Sequence, residues 1–116
     1  MHNGDVTRND GESGAERTVR VQNRLGLHAR PAAEFVKLSS RFESSVSVEK
    51  DGLKVNGKSI MGVMMLAAEY DSMLRILAVG PDAVEAVSAL ADLVAGGFGE
   101  QESDYADPGD GEAARA

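Results

Sequence analysis

A histidine and an arginine stand two positions apart, His28 and Arg30, where strand-like alternation gives way to helical periodicity. Pro31 follows them, and proline suits a first helical turn because the N–H that it lacks has no helical partner there. Free N–H groups at a helix N-terminus attract anions and favour a neutral imidazole, whose lone pair is nucleophilic. Arginine binds phosphate through paired hydrogen bonds. An imidazole held at a helix N-terminus can carry a phosphoryl group, with Arg30 as the partner of the phosphate; the alternative is a histidine that only caps the helix beside an unrelated arginine.

A second phosphate motif competes with the first. Residues 52–59 read Gly-Leu-Lys-Val-Asn-Gly-Lys-Ser and match the expression G-x-x-x-x-G-K-[ST] of nucleotide-binding P-loops. A P-loop follows a buried strand and leads into a helix. Here the interior residues themselves alternate as a strand, and Asp51-Gly52 is a typical hairpin turn. We interpret the match as accidental and keep nucleotide binding at 52–59 as an alternative.

Composition limits the remaining classes of function. The chain has 116 residues, which is enough for one domain with a modest core, and it has no cysteine and two histidines. Without an HExxH or EF-hand pattern we expect no metal and no cofactor. No apolar run reaches the roughly 18 residues that cross a bilayer, and no signal-peptide pattern is present. We therefore expect a cytoplasmic protein without membrane insertion.

Charge is distributed unevenly along the chain. The net charge of −7 argues against nucleic acid as a partner. Residues 18–58 nevertheless carry eight basic and four acidic side chains, whereas residues 59–99 carry one and five. Lys37 and Lys58 belong to the basic part together with His28. This arrangement suits a phosphate or an acidic partner surface.

The pattern of apolar residues predicts one domain, at 18–99, between disordered tails at 1–17 and 100–116. Strands are predicted at 18–22, 45–49, 53–55 and 73–79, and helices at 29–41, 60–68 and 83–95, with Asp82 capping the last helix. The inward residues of the helices would be Ala32, Phe35 and Val36; Val63, Leu66 and Ala67; and Val84, Val87, Leu90, Ala91 and Val94. The order β-α-β-β-α-β-α predicts an α+β open-faced sandwich, in which three helices cover one face of a four-stranded antiparallel sheet.

The short second helix has more apolar residues than one face can bury. Ser59 precedes it as a predicted N-cap, and Ile60, Met61 and Met64 remain outside the inward set. An exposed apolar patch is a common mark of partner binding. We expect these three side chains to contact a partner protein.

Two segments, 23–33 (Asn-Arg-Leu-Gly-Leu-His-Ala-Arg-Pro-Ala-Ala) and 55–66 (Val-Asn-Gly-Lys-Ser-Ile-Met-Gly-Val-Met-Met-Leu), resemble the motifs of the HPr family of phosphocarrier proteins. The resemblance covers about residues 18–99. It implies that Nδ1 of His28 takes phosphate from enzyme I of the phosphoenolpyruvate-dependent phosphotransferase system and passes it to an EIIA-type domain. It also implies that Arg30 stabilises the phosphate. The chain would then be a stoichiometric carrier and not an enzyme.

The same resemblance assigns further roles and leaves alternatives open. Ser59 would be the target of an HPr-type serine kinase/phosphorylase, and Ile60, Met61 and Met64, with Lys37 and Lys58, would form the docking surface of a monomer. Sugar uptake and a nitrogen regulatory branch remain open. The alternative is a regulatory binding module of the same fold that carries no phosphate and acts through the Ser59 surface.

Overall fold

Alternation of apolar and polar residues gives the central strands one buried and one exposed face. The computed structural model describes residues 5–7, by backbone only, and residues 13–100. The strands are β1 (Asp5–Thr7), β2 (Ser13–Arg20), β3 (Ser45–Lys50), β4 (Leu53–Asn56) and β5 (Met73–Val79), and they form one antiparallel sheet in the order β1-β2-β5-β3-β4. Leu74, Ile76 and Ala78 of β5 are buried in the core, as predicted.

Three helices lie on the apolar face of this sheet and share one core with it. They are α1 (Ala29–Ser39), α2 (Ile60–Met65) and α3 (Ala83–Ala95), and a single 3-10 turn, Gly97–Gly99, follows α3. On the opposite face Arg75 bridges Glu16 at 2.7 Å and Glu49 at 2.9 Å. This arrangement confirms the predicted open-faced α+β sandwich.

The N-terminal part of the sheet differs from the prediction. Residues 13–17, which the sequence assigned to a disordered tail, continue β2, and residues 5–7 add a fifth strand at its edge. Ala15 pairs with Ala78 of β5 and is buried, but Arg17 stands between it and Val19 and interrupts the apolar alternation. Backbone pairing, which side-chain patterning does not report, therefore extends the sheet. The rest of the two predicted tails, at 1–4, 8–12 and 101–116, lies outside the described residues.

Two predicted inward positions are exposed instead. The second helix ends at Met65, three residues early, because Ala67 adopts a left-handed φ of 50°. That turn exposes Ala67 and buries Ala68 in its place. Val84 is 51% exposed because Ala83, one position earlier, takes the inward place in the first turn of α3.

The P-loop-like segment is a hairpin and a helix cap. Leu53–Asn56 forms β4, which pairs with β3 through Val55 and Val48. Asp51 and Gly52 have positive φ values of 52° and 86°, as a type I′ turn between two strands requires. Because the residues between the two glycines are paired as a strand, they do not form a loop that could wrap a phosphate. The structure contradicts the nucleotide-binding alternative at 52–59.

Candidate functional site

The loop before His28 is held by backbone hydrogen bonds. Gly26 N donates to Asn23 O at 3.1 Å, His28 N to Gly26 O at 2.9 Å, and Leu27 N to Ala68 O at 2.9 Å. Gly26 has φ +70°, and a Cβ on it would lie 2.3 Å from the carbonyl oxygen of Ala68. A glycine is therefore needed where this loop crosses the end of α2.

His28 is the N-cap residue of α1. Its backbone is extended, and its carbonyl oxygen accepts the first helical bond from Ala32 N at 3.0 Å. Within the described residues, the imidazole makes no capping hydrogen bond to the first turn of α1. The side chain is 37% exposed. Pro31 lies in the first turn, as predicted, and is buried. The ring thus stands at the positive end of a helix, where a partner protein can reach it.

A carboxylate joins the histidine and the arginine. Oε2 of Glu100 lies 3.2 Å from Nε2 of His28 and 2.9 Å from Nη2 of Arg30. The side chain of Glu100 is only 2% exposed, whereas that of Arg30 is 54% exposed. The structure therefore brings the two predicted site residues together through a third residue, which the sequence had assigned to the acidic tail.

A left-handed turn after α3 delivers Glu100 to this position. Gly97, Phe98 and Gly99 have φ values of 69°, 60° and 72°, and Phe98 is 5% exposed in the core. Glu100 N donates to Gly97 O at 3.0 Å, and Asn23 Nδ2 donates to Oε1 of Glu100 at 3.1 Å. The sequence contains one signal of this turn that could have been used: Phe98, an apolar residue between two glycines just beyond α3, indicates a segment that packs against the core.

Ser59 caps α2 as predicted. Its Oγ accepts from Gly62 N at 3.0 Å, so the hydroxyl oxygen lies beside the first-turn amides. Lys58 is drawn toward the end of α1, because its Nζ donates to Phe42 O at 2.7 Å. The ammonium group of this predicted docking residue therefore also fastens the loop after α1.

The apolar residues left over in α2 are exposed, which confirms the expected patch. Ile60, Met61 and Met64 are 44%, 74% and 42% exposed, and Met65, which the sequence had not singled out, is 65% exposed. We call Ile60, Met61, Met64 and Met65 the α2 patch.

Lys37, another predicted docking residue, is exposed in the last turn of α1. At a rise of 1.5 Å per residue it lies about 13 Å from His28 along the helix axis.

Among the residues that the structure describes, no group of three or more His, Cys, Asp or Glu side chains could hold a metal ion. Within the same residues, no helix has the length and the apolar character that a membrane span requires. The chemistry available at the site is that of an imidazole, a guanidinium and a carboxylate at a helix N-terminus.

Comparison with known proteins extends these observations. Residues 15–96 match the family model described as the PTS HPr component phosphorylation site. The phosphocarrier protein HPr of Treponema pallidum is 49% identical over 85 residues, which are 73% of this chain and 97% of that protein.

Two solved structures are similar to this one. HPr of Thermoanaerobacter tengcongensis superposes with a TM-score of 0.72 and 49% identity, over 74% of this chain and 97% of that one. Crh of Bacillus subtilis, described as a catabolite repression protein with a swapping domain in an intertwined dimer, gives a TM-score of 0.59 and 48% identity over 68% of this chain and 91% of that one.

Proposed function

This chain belongs to the HPr family of phosphocarrier proteins of the phosphotransferase system, and from that membership we propose that His28 is its phosphorylation site. HPr proteins carry phosphate and are not turnover enzymes. Enzyme I, charged by phosphoenolpyruvate, supplies the phosphoryl group. An EIIA-type domain receives it.

The proposed step exchanges one bond for another. The lone pair on Nδ1 of His28 attacks phosphorus, an N–P bond forms, and the donor atom of phosphorylated enzyme I recovers the electron pair of the bond that breaks. Transfer onward reverses these roles, with Nδ1 as the leaving group. No metal and no cofactor enters the proposal.

One observation carries the proposal. The imidazole of His28 is both accessible and placed at the N-terminus of α1, with the guanidinium of Arg30 hydrogen-bonded to the same carboxylate oxygen. Helix N–H groups and a nearby arginine favour negative charge at this point. The negatively charged oxygens of a phosphoryl group on the ring would lie there, so Arg30 is proposed to stabilise them.

We propose that partner proteins dock on the α2 patch beside the phosphate site. The patch has no side chain with formal charge, and Lys37 and Lys58 lie on neighbouring segments. A partner with an apolar centre and acidic surroundings fits this surface. Enzyme I and EIIA-type domains would use it in turn.

Serine phosphorylation is proposed as a control on the same surface. The hydroxyl of Ser59 lies at the start of α2, next to Ile60 of the patch. A phosphate there adds about −1.5 to −2 charges, and an apolar partner would have to desolvate it. An HPr-type serine kinase/phosphorylase is the proposed partner for this modification.

A regulatory module that carries no phosphate is the second candidate. The similarity to Crh of Bacillus subtilis favours it, because that protein is described by its part in catabolite repression. Such a module needs Ser59 and the α2 patch but has no use for His28. The presence of His28 with Arg30 at the helix N-terminus favours the carrier.

The setting is proposed more broadly. We propose a cytoplasmic monomer that serves sugar uptake or the nitrogen regulatory branch. Light scattering tests whether the chain is a monomer, which matters because an HPr dimer from Thermoanaerobacter tengcongensis has been described.

The transfer of phosphate to a second protein is tested by mixing the purified phosphorylated chain with an EIIA-type domain. Phosphate must appear on that domain, and a label that never leaves the chain contradicts the carrier function.

A further inference from the structure

The carboxylate of Glu100 lies at the centre of the site, although the family motifs at 23–33 and 55–66 do not include it. It contacts His28, Arg30 and Asn23 across 3.2, 2.9 and 3.1 Å. We propose that Glu100 is a positioning residue for phosphoryl transfer, which holds the proton of His28 on Nε2 and so keeps the lone pair on Nδ1. This inference rests on the proposed function of His28.

Hydrogen-bond donors and acceptors define the tautomer. A carboxylate can only accept, and a neutral imidazole has one N–H. The 3.2 Å contact between Nε2 of His28 and Oε2 of Glu100 is therefore a hydrogen bond only when Nε2 carries the proton. Nδ1, the nitrogen proposed to attack phosphorus, is then unprotonated. The bond also fixes the plane of a ring that is otherwise 37% exposed.

Electrostatics favour the same arrangement after transfer. When the lone pair on Nδ1 forms the N–P bond while Nε2 keeps its proton, both ring nitrogens are substituted and the ring carries a positive charge, which makes the Nε2–H group a stronger donor. Water screens the Glu100 carboxylate little, because that side chain is 2% exposed. The carboxylate therefore stabilises the phosphorylated ring. Before the transfer, the guanidinium of Arg30, which is hydrogen-bonded to the same oxygen of Glu100, balances the negative charge of the carboxylate.

The chain around Glu100 is built to keep this carboxylate in place. Phe98 anchors the turn in the core, and the glycines on both sides of it adopt left-handed conformations. Asn23 Nδ2 holds the second oxygen, Oε1, and also donates to Gly26 O at 2.7 Å in the loop before His28. The carboxylate and the histidine are thus positioned by one connected set of contacts.

Glu100→Gln tests the inference. The amide has nearly the same shape but presents one acceptor oxygen, so it cannot accept from all three donors. We expect kcat for phosphorylation by enzyme I to fall at least about tenfold, equivalent to ~1.4 kcal/mol of barrier, while KM stays near that of the wild type because the α2 patch is intact. The matched control is Glu85→Gln, which removes the same charge at the exposed start of α3.

A spectroscopic readout separates positioning from a general structural effect. The ring nitrogens of His28 are observed by NMR in full-length chains that carry ¹⁵N-labelled histidine, at a pH where the ring is neutral. In the wild type and in Glu85→Gln we expect the proton on Nε2. In Glu100→Gln we expect a mixture of tautomers and faster exchange of the ring proton.

The results separate this inference from the function on which it rests. If the wild type accepts phosphate and Glu100→Gln accepts it with the same kcat and KM, the positioning role is wrong and the carrier function stands. A proton on Nδ1 in the wild type would also overturn the role. If the wild type accepts no phosphate at all, the proposed function falls, and the role of Glu100 in transfer falls with it.

Discussion

The main-chain N–H of Leu27 donates to the carbonyl oxygen of Ala68 at 2.9 Å. Leu27 precedes the histidine of the phosphate site, and Ala68 follows the helix that bears the α2 patch. A backbone hydrogen bond therefore joins the loop of the proposed reaction site to the segment that follows the proposed docking surface. A partner bound to the α2 patch would have a fixed position relative to His28.

This contact makes Gly26 the most sensitive backbone position near the site. In Gly26→Ala the new Cβ would lie 2.3 Å from the Ala68 carbonyl oxygen, at a φ of +70°. We expect a loss of more than ~2 kcal/mol in the free energy of unfolding, since left-handed strain alone costs ~1–2 kcal/mol. Urea denaturation measures it.

Gly52→Ala is the control for that substitution. Its φ is +86°, but nothing lies within 4 Å of the added Cβ. It should show the backbone strain without the clash, so its loss of stability should be the smaller one. Equal losses of stability in the two variants would mean that the backbone at Ala68 moves away from the added Cβ at little cost.

Asp82 ties α3 to the loop after α1. The sequence predicted it as a helix cap, but its carboxylate instead accepts from Ser44 Oγ and from the N–H groups of Glu43 and Ser44. The hydrogen bond from the Ser44 hydroxyl, followed by that from Glu43 N–H, lowers the pKa of Asp82 from 3.8 to about 2.

Stability should therefore depend on the protonation of Asp82. Because the pKa is lowered in the folded state, the stabilisation is present above pH 3.8 and is lost as the pH falls toward about 2. Asp82→Asn should unfold more easily at neutral pH and lose less stability between those pH values. Thermal melts across this range measure the effect. Asp92→Asn, at an exposed position of the same helix, should keep the wild-type acid response.

Met61 is the most exposed member of the α2 patch, at 74%. Met61→Glu places a charge where an apolar partner would have to desolvate it. We expect KM for enzyme I to rise about tenfold or more with kcat little changed, and the melting temperature to stay within a few degrees. Val84→Glu introduces the same charge at an exposed apolar residue of α3 and should leave KM unaltered. If both variants raise KM alike, general charge repulsion explains the effect and the patch does not.

Ser59→Asp mimics part of the charge of a phosphoserine. The carboxylate can still cap α2, so we expect a melting temperature within a few degrees of the wild type and a slower phosphorylation of His28. Ser59→Ala should behave in the opposite way, with a loss of ~1 kcal/mol in stability from the missing cap and normal phosphoryl transfer. Both quantities are measured on the same preparations. Wild-type transfer in Ser59→Asp would place the docking surface elsewhere.

Much of the fold follows from periodicity. The alternation of Leu74, Ile76 and Ala78 predicted β5 and its buried face, and the spacing of Ala32 and Phe35 predicted the inward face of α1. Asp51-Gly52 identified the hairpin because few residues accept a left-handed turn. Local chemistry was sufficient wherever a residue's neighbours in sequence determine its environment.

The site was predicted less completely. His28 and Arg30 are near each other in sequence, but Glu100 is 70 positions from Arg30 and meets it only through the packing of α3 and Phe98. Ser39 is fully buried, and its Oγ donates to Gly57 O, a contact between distant segments that periodicity cannot predict. Residues whose roles depend on such long-range contacts require the structure.

The central claim is that His28 accepts one phosphoryl group. Full-length wild type and His28→Ala are incubated with phosphoenolpyruvate and enzyme I and followed by intact mass, and the acid stability of the adduct is then examined. We predict one acid-labile, base-stable phosphate on the wild type and none on His28→Ala, although that variant keeps His2. Equal labelling of the two chains, or no labelling of a folded wild type by active enzyme I, would contradict the account.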